Sequence, residues 1–492
     1  MYNPDGSFGG NNDLSRMANL AYNVVGRMKH LGYRRGIENG IVANVTARQD
    51  LSFITKGFSA RAVFGYSNAN SYTRNLERGA FPSFVYNSAT DTYTPFDPNN
   101  PRLPRMTLST DPGRMNRRVN IQGDLRYDRT FAEKHHVYGL VLYNQYTRTP
   151  GPLIPESFRG LSLRTGYDYQ RKYIIEFVAG YNGSDKFPKE NRYHFFPAAS
   201  IGWNIAEESF FKKNITFIDL FKLRASYGLV GDDASAPAAG SYVSQFYSSA
   251  TGAYNFGESY NSTANNQTQL NEGALSNRFL KWETEESTNL GLDINAFKGK
   301  FRFTGDVFRR YRTDILRGRQ SVPDYAGVAF GTANYAVLDT RGYEIDATYR
   351  DRVGQFNFSV NGNVSVAKTI MVKADEAMSD MEYQRQTGGY MGRTLGYVWD
   401  GFYTPENIDS SIKPNIPVAP GDLRYKDING NGVLDDGDRV RLDYPNIPSH
   451  IYGMNLAMSY KGISLAVSLQ AATRFTLRSQ STQIVPGISN FR

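Results

Sequence analysis

Cysteine is absent from the 492 residues, which removes disulfides, thiolate metal sites and cysteine nucleophiles together. Long apolar runs are missing as well. No stretch approaches the roughly 18 consecutive apolar residues of a transmembrane helix, so helical spans are excluded. A membrane barrel is not excluded, because its strands dilute apolar residues with polar ones. Histidine is scarce, and His30, His135, His136, His194 and His450 show no metal-binding spacing. His135 and His136 are neighbours on an extended segment and face opposite sides. No phosphate loop, no G-x-S-x-G elbow and no H-E-x-x-H is present. Met1 is not followed by a basic and then apolar leader, so no signal peptide is read. The net charge of +9 is scattered rather than blocked, which argues against a nucleic-acid footprint.

Aromatic residues and glycine are plentiful: 34 Tyr, 30 Phe and 46 Gly, beside only 3 Trp. Tyr and Phe at this level suit sheets and interfacial girdles. Alternation of period two then recurs along the chain. Leu290, Leu292, Ile294 and Ala296 oppose Asn289, Gly291, Asp293 and Asn295. Phe297-Lys298-Gly299-Lys300 reads as a turn, and Phe301, Phe303 and Val307 return against Arg302, Thr304 and Asp306. The cleanest pair sets Tyr343, Ile345, Ala347 and Tyr349 against Phe356, Phe358, Val360, Val364 and Val366.

Repeated from Ile41 to about 473, this pattern predicts about fourteen strands of roughly ten residues. Short turns alternate with long polar segments at about 67–116, 231–279, 313–340 and 368–449. Residues 1–40 read as an irregular lead with a helix over Asp13–Leu31, in which Leu14, Met17, Leu20, Ala21, Val24 and Met28 share a face. Residues 474–492 read as a truncated end. The polar faces carry more charge than a dry sandwich core tolerates. The fold class expected is therefore all-β: part of an antiparallel transmembrane β-barrel, apolar outside and polar inside, with its long loops at one end.

One motif has metal-ligand spacing. Asp427, Asn429, Asn431, Val433, Asp435 and Asp438 fall at positions 1, 3, 5, 7, 9 and 12 of a twelve-residue loop with Gly432 at position 6. Such spacing converges hard oxygen ligands on a structural Ca²⁺. An ion-free Asn/Asp/Gly turn gives the same sequence. Asp438 stands where a longer Glu is usual, and no amphipathic helices flank the loop. The acidic pairs Glu207-Glu208, Asp232-Asp233 and Glu285-Glu286 would suit a soluble glycosidase only if the fold brought distant carboxylates together. Neighbours on a strand point apart, so no active site is read. Tyr242, Phe246, Tyr247, Tyr254, Phe256 and Tyr260 enrich one long segment in rings suited to sugar or peptide contact.

Several stretches resemble the SusC/RagA family of TonB-linked outer-membrane proteins. They are Gln49-Asp-Leu-Ser-Phe-Ile-Thr-Lys-Gly57, Phe195-Phe-Pro-Ala-Ala-Ser-Ile-Gly-Trp203 with Glu207-Glu-Ser-Phe-Phe211, and Leu223-Arg-Ala-Ser-Tyr-Gly228. Leu280-Lys-Trp-Glu283 with Asn289-Leu-Gly-Leu-Asp293, and Gly421-Asp-Leu-Arg-Tyr-Lys-Asp-Ile-Asn-Gly-Asn-Gly432 with Asp438-Arg439, complete the series. The resemblance implies a large plugged barrel and energised import of glycan or peptide fragments. It also implies a SusD-like surface lipoprotein as partner, and the TonB complex engaged through an N-terminal part. TonB box and plug domain are not found here, so the chain reads as the barrel fragment of a non-enzymatic importer. A secreted, glycan-binding β-rich adhesin is the alternative.

Overall fold

The computed structural model describes all residues except 1, 11–22, 79–80, 96–101, 152–153, 239, 244–245, 256–265, 273–274, 323–324, 326–329, 378–380, 415–416 and 478–492. Fourteen strands form one sheet. They are β1 Gly32–Asp50, β2 Phe58–Glu77, β3 Thr107–Phe131, β4 His135–Pro150, β5 Glu156–Tyr169, β6 Tyr173–Ser184 and β7 Tyr193–Asn204. The series continues with β8 Ile218–Asp232, β9 Glu283–Ala296, β10 Phe301–Arg317, β11 Ala333–Val353, β12 Phe356–Lys373, β13 His450–Tyr460 and β14 Ile463–Thr473. Each pairs with its sequence neighbours, so strand order equals chain order. This meander is what alternating short and long connections produce when every strand pairs antiparallel with the next. No helix among the described residues is long and apolar enough to cross a membrane, which says nothing of crossing by strands.

The chain divides into two compact units, one of residues 1–46, 63–121 and 146–155, the other of 47–62, 122–145 and 156–492. In the smaller unit the helix Val24–His30 starts at Asn23, whose side chain accepts from Gly26 N at 3.1 Å. Of the helical lead expected over Asp13–Leu31, Val24–His30 is helix, while Asp13, Leu14, Met17, Leu20 and Ala21 lie outside the described residues. The first strand begins at Gly32 rather than Ile41. Both ends of the segment expected as a loop over 67–116 belong to β2 and β3, leaving 78–106 with a small hairpin of Phe84–Asn87 and Thr92–Pro95.

In the larger unit the registers follow the alternation. Leu290 pairs with Val307 and Ile294 with Phe303; Tyr343 pairs with Val366 and Tyr349 with Val360. Two of the three long loops narrow, and the first only shifts. β8 runs to Asp232, and 233–282 holds a hairpin of Phe246–Asn255 and Asn266–Glu272. β10 runs to Arg317 and β11 starts at Ala333, so 313–340 shrinks to 318–332. β12 extends to Lys373, and 374–449 contains two further strand pairs. Strands measure 11 to 25 residues instead of about ten. A strand needs only about 9–11 residues to cross hydrocarbon. Beyond that band both faces meet water, and the apolar signal that marks a strand fades.

Which face is apolar decides the environment. Leu290 is 59% exposed and Val307 62%, and Leu223, Ile175, Ile201 and Leu465 are likewise open. The opposite face holds Asp124, Glu176, Arg224, Asp293 and Asp306, all half-buried or buried. A soluble sheet would be arranged the other way round. Exposed Leu and Val against an ion-paired inner wall is the pattern of a strand facing lipid.

Candidate functional site

Ion pairs stitch the polar face of the larger unit across strands, and each follows from a register. Arg224 of β8 reaches over β9 to β10. Its Nη1 and Nη2 donate to Asp306 at 2.6 and 2.7 Å, while Nε donates to Asp293 at 3.1 Å. Asn289 Nδ2 donates to the same Asp306 at 2.7 Å. Gly291 makes this path possible, since a Cβ there would fall 2.4 Å from the Arg224 guanidinium. On the other face, that of Val307 and Tyr343, buried Asp339 takes both Arg309 at 3.0 Å and Arg341 at 2.7 Å. Asp124 takes Arg61 and Arg126, each at 2.7 Å. Paired in this way, a charged wall can line a polar lumen at little cost, where lone charges would not be tolerated.

The segment Leu280-Lys-Trp-Glu283 is a structural hub. Trp282 packs among Phe187, Phe196, Leu280 and Leu316 and donates its Nε1 to Arg192 O at 3.0 Å. Glu283, 1% exposed, accepts from Leu316 N at 2.9 Å and from Arg312, which also binds Asp232. Alternation puts these residues at a strand start, but their partners lie far off in sequence and are not legible there. The other acidic residues singled out are also engaged structurally. Glu207 pairs with Lys212, Glu208 accepts from Tyr173 Oη at 2.6 Å, Asp233 accepts from Ser184 Oγ at 2.7 Å, and Glu285 lies 3.9 Å from Arg310.

The segment 374–449 is organised by its own polar contacts. Its strands Arg393–Gly396 and Val440–Pro445 pair, as do Trp399–Phe402 and Leu423–Tyr425. Tyr403, 1% exposed, donates its hydroxyl to Ile412 O at 2.7 Å. The 427–438 loop lies beside them. Asp427 accepts from Gly430 N at 2.7 Å and Gly432 N at 2.9 Å; Asn429 accepts from Asn431 N, and Asn431 from Val433 N. Asp435 caps the short turn Asp436–Asp438, accepting from Gly437 N at 2.7 Å. Asp438, fully buried, accepts from Ile428 N at 2.8 Å and Asp435 N at 2.9 Å. Burial works to raise its carboxyl, but the backbone N–H groups of Asp435, Ile428 and Asn429 outweigh that and hold it below the usual carboxylate range. All the residues of the candidate Ca²⁺ loop are therefore neighbours, and their side-chain oxygens serve the loop's own backbone. Among the described residues no group of three or more His, Asp or Glu is placed to hold a metal ion. Tyr383 Oη and Gln384 Nε2 fasten the loop from outside through Gly437 O and Asp436 O, at 2.7 and 2.9 Å.

Of the long-segment rings, Tyr242 packs beside the Trp282 cluster, while Phe256 and Tyr260 lie outside the described residues. Exposed rings instead stand on the 374–449 segment, where Trp399, Phe402 and Tyr444 face solvent. Composition gives no signal for these three. Asp375 clamps the neighbouring connection, accepting from Arg319 Nε at 2.9 Å, Gln320 N at 2.8 Å and Ser321 Oγ at 2.6 Å.

Residues 2–480 match the family model described as TonB dependent receptor-like, beta-barrel. The TonB-dependent receptor P3 of Formosa agariphila is 28% identical over 96% of this chain and 48% of its own length. The TonB-dependent receptor SusC of Bacteroides thetaiotaomicron is 28% identical over 63% of this chain and 30% of its own length. The chain thus spans about half, or less, of the curated relatives it matches. Among solved structures, the RagAB peptide transporter superposes with a TM-score of 0.65 at 17% identity, over 90% of this chain and 48% of that one, a likeness of fold. By the match along nearly its whole length, with the lipid-facing strands and ion-paired inner wall that such a barrel requires, the chain belongs to the TonB-dependent receptor-like β-barrel family.

Proposed function

We propose that this chain is barrel wall and loop surface of an outer-membrane importer that takes up oligosaccharide or peptide fragments, energised by the TonB complex. The observation that carries the reading is the inverted sheet. Its Leu and Val face outward, and its inner wall is a lattice of ion pairs such as Arg224 with Asp293 and Asp306. In the larger unit, antiparallel alternation sends 185–192, 233–282, 318–332 and 374–449 to one edge of the sheet, and the short turns with the 205–217 connection to the other. The long edge is where substrate and a SusD-like surface lipoprotein would be met. Relatives named TonB-dependent receptor and SusC, and the fold shared with a peptide transporter, support the same reading. It needs no catalysis by this chain.

The test is uptake. Cells lacking the gene are compared with the parent for energy-dependent accumulation of labelled oligosaccharides and peptides, with and without a protonophore. Loss of uptake of at least one fragment class, matched by protonophore treatment of the parent, is expected. Unchanged uptake of every fragment would refute the importer, and retention of surface binding alone would favour the adhesin.

A further inference from the structure

The larger unit holds a cavity of about 850 Å³ beneath the 374–449 segment. It is built by backbone hydrogen bonds on several sides. Met391 N donates to Thr369 O and Met371 N to Gly389 O, each at 2.9 Å, which zips residues 388–391 along the end of β12. Asn446 N donates to Gly392 O at 3.0 Å, and Thr476 N to Pro445 O at 2.7 Å. Ala367 N donates to Ser449 O at 3.0 Å, closing the wall at the start of β13.

Its charge is one-sided. Lys368, Arg393 and Arg474 line it, against the single carboxylate of Asp443, so three cations less one anion leave a net +2. Several Arg side chains of this unit are bound to carboxylates, as Arg224, Arg309 and Arg312 are. None of the three cavity cations makes such a pair among the described residues. The buried Nε of Arg393 has no hydrogen-bond partner there, and its Nη2 reaches only Arg385 O at 3.4 Å. Gly389 gives this guanidinium its room, since a Cβ would fall 1.9 Å from it. A buried donor without an acceptor is costly unless something supplies one. Tyr390 and Tyr444 line the same space, and rings beside polar groups offer the apolar faces on which pyranoses stack. The volume lies within the range of small-ligand sites and admits a short oligosaccharide.

We propose that this cavity is a binding subsite for a carboxylate-bearing oligosaccharide, whose acidic group is taken by Lys368, Arg393 and Arg474. The inference deepens the importer reading and rests on it for the source of the ligand. Carboxylate recognition by Arg is geometric as well as electrostatic, so acidic fragments are selected over neutral ones of the same size.

The test titrates the detergent-solubilised receptor with tetragalacturonate, with a neutral galactose tetramer, and with tetraglutamate. The wild type should prefer tetragalacturonate, and added salt should weaken that preference. Lys368 and Arg474 are exposed, so Lys368→Gln with Arg474→Gln should fold normally, as unaltered heat-modifiability on a gel would verify. The double variant should lower the ratio of acidic to neutral affinity about a hundredfold, roughly tenfold for each cation removed. Arg393→Gln should lower it further. Equal affinity for the two sugars, an unchanged ratio in the variants, or tighter binding of tetraglutamate would overturn the proposal. Failure here is distinguishable from failure of the importer. Cells that import neutral fragments through a receptor indifferent to acidic ones sink the subsite alone, and cells whose uptake ignores the gene sink the importer.

Discussion

Replacing Arg224 by alanine is the sharpest probe of the ion-paired wall. The guanidinium is shared by Asp293 and Asp306 through contacts of 2.6 to 3.3 Å. Arg224→Ala leaves two carboxylates on adjacent strands with one remaining donor, Asn289. Breaking a fully buried pair by removing one partner costs roughly 3–5 kcal/mol. Here the side chains keep 29%, 24% and 18% of their exposure, so water screens part of the loss. About 2–3 kcal/mol is the expected destabilisation at neutral pH. The triple variant Arg224→Ala, Asp293→Asn, Asp306→Asn removes all three charges and should recover to within about 1 kcal/mol of wild type. Equilibrium unfolding in urea, with the receptor in lipid vesicles, reads both through the buried Trp282. A single variant within about 0.5 kcal/mol of wild type, or a triple variant no more stable than the single, would refute the reasoning.

Leu290→Arg tests which face meets lipid: at 59% exposure a soluble sheet would tolerate it, whereas at the bilayer midplane it should cost about 2–4 kcal/mol in the same urea assay. Asp375 tests the clamp on 318–321. Burial favours its neutral form, but hydrogen bonds from Ser321, Gln320 and Arg319 prevail and hold its carboxyl at about 2. A depressed folded pKa means stability present above the ordinary value of 3.8 and lost as pH falls from there toward 2. Hydrogen exchange at 318–321 should therefore be faster in Asp375→Asn at pH 6, and the variant and wild type should converge near the bottom of that window. For the 427–438 loop, calcium added after chelation should leave protease resistance of 374–449 unchanged, because its oxygens already accept backbone N–H groups. A calcium-dependent gain would support the ion-site reading instead. Asp438→Ala should instead expose the segment to cleavage with or without calcium.

Much of the sheet is legible from alternation because lipid-facing strands obey a strict period of two. Leu290 opposite Val307, and Tyr343 opposite Val366, follow directly from the two clean hairpins. What alternation does not supply is reach and partnership. Ser67–Glu77 and Thr107–Arg118 look like loop in sequence because strands outside hydrocarbon no longer need an apolar face. Arg224 and Asp306 stand 82 residues apart, and nothing local in either neighbourhood names the other. The same holds for Arg393, whose unpartnered Nε becomes visible only once Gly389 and the end of β12 are brought beside it.

The turn Phe297–Lys300 has a consequence for how such a receptor can diversify. Phe297 and Lys298 adopt φ of 57°, and Gly299 adopts 77°, a left-handed run that matches the twist of β9 and β10 and locks their register. One residue inserted there would slip the pairing and turn Asp293 outward and Leu290 inward, exchanging lipid face for lumen. The same insertion in a turn of 374–449 outside its short strand pairs would lengthen a connection and shift no strand of the large sheet, at a cost of a few tenths of a kcal/mol at most. The two edges of the larger unit's sheet are thus under opposite rules. The short-turn edge is a fixed datum, and the long edge is free to be rewritten without renegotiating the wall beneath it.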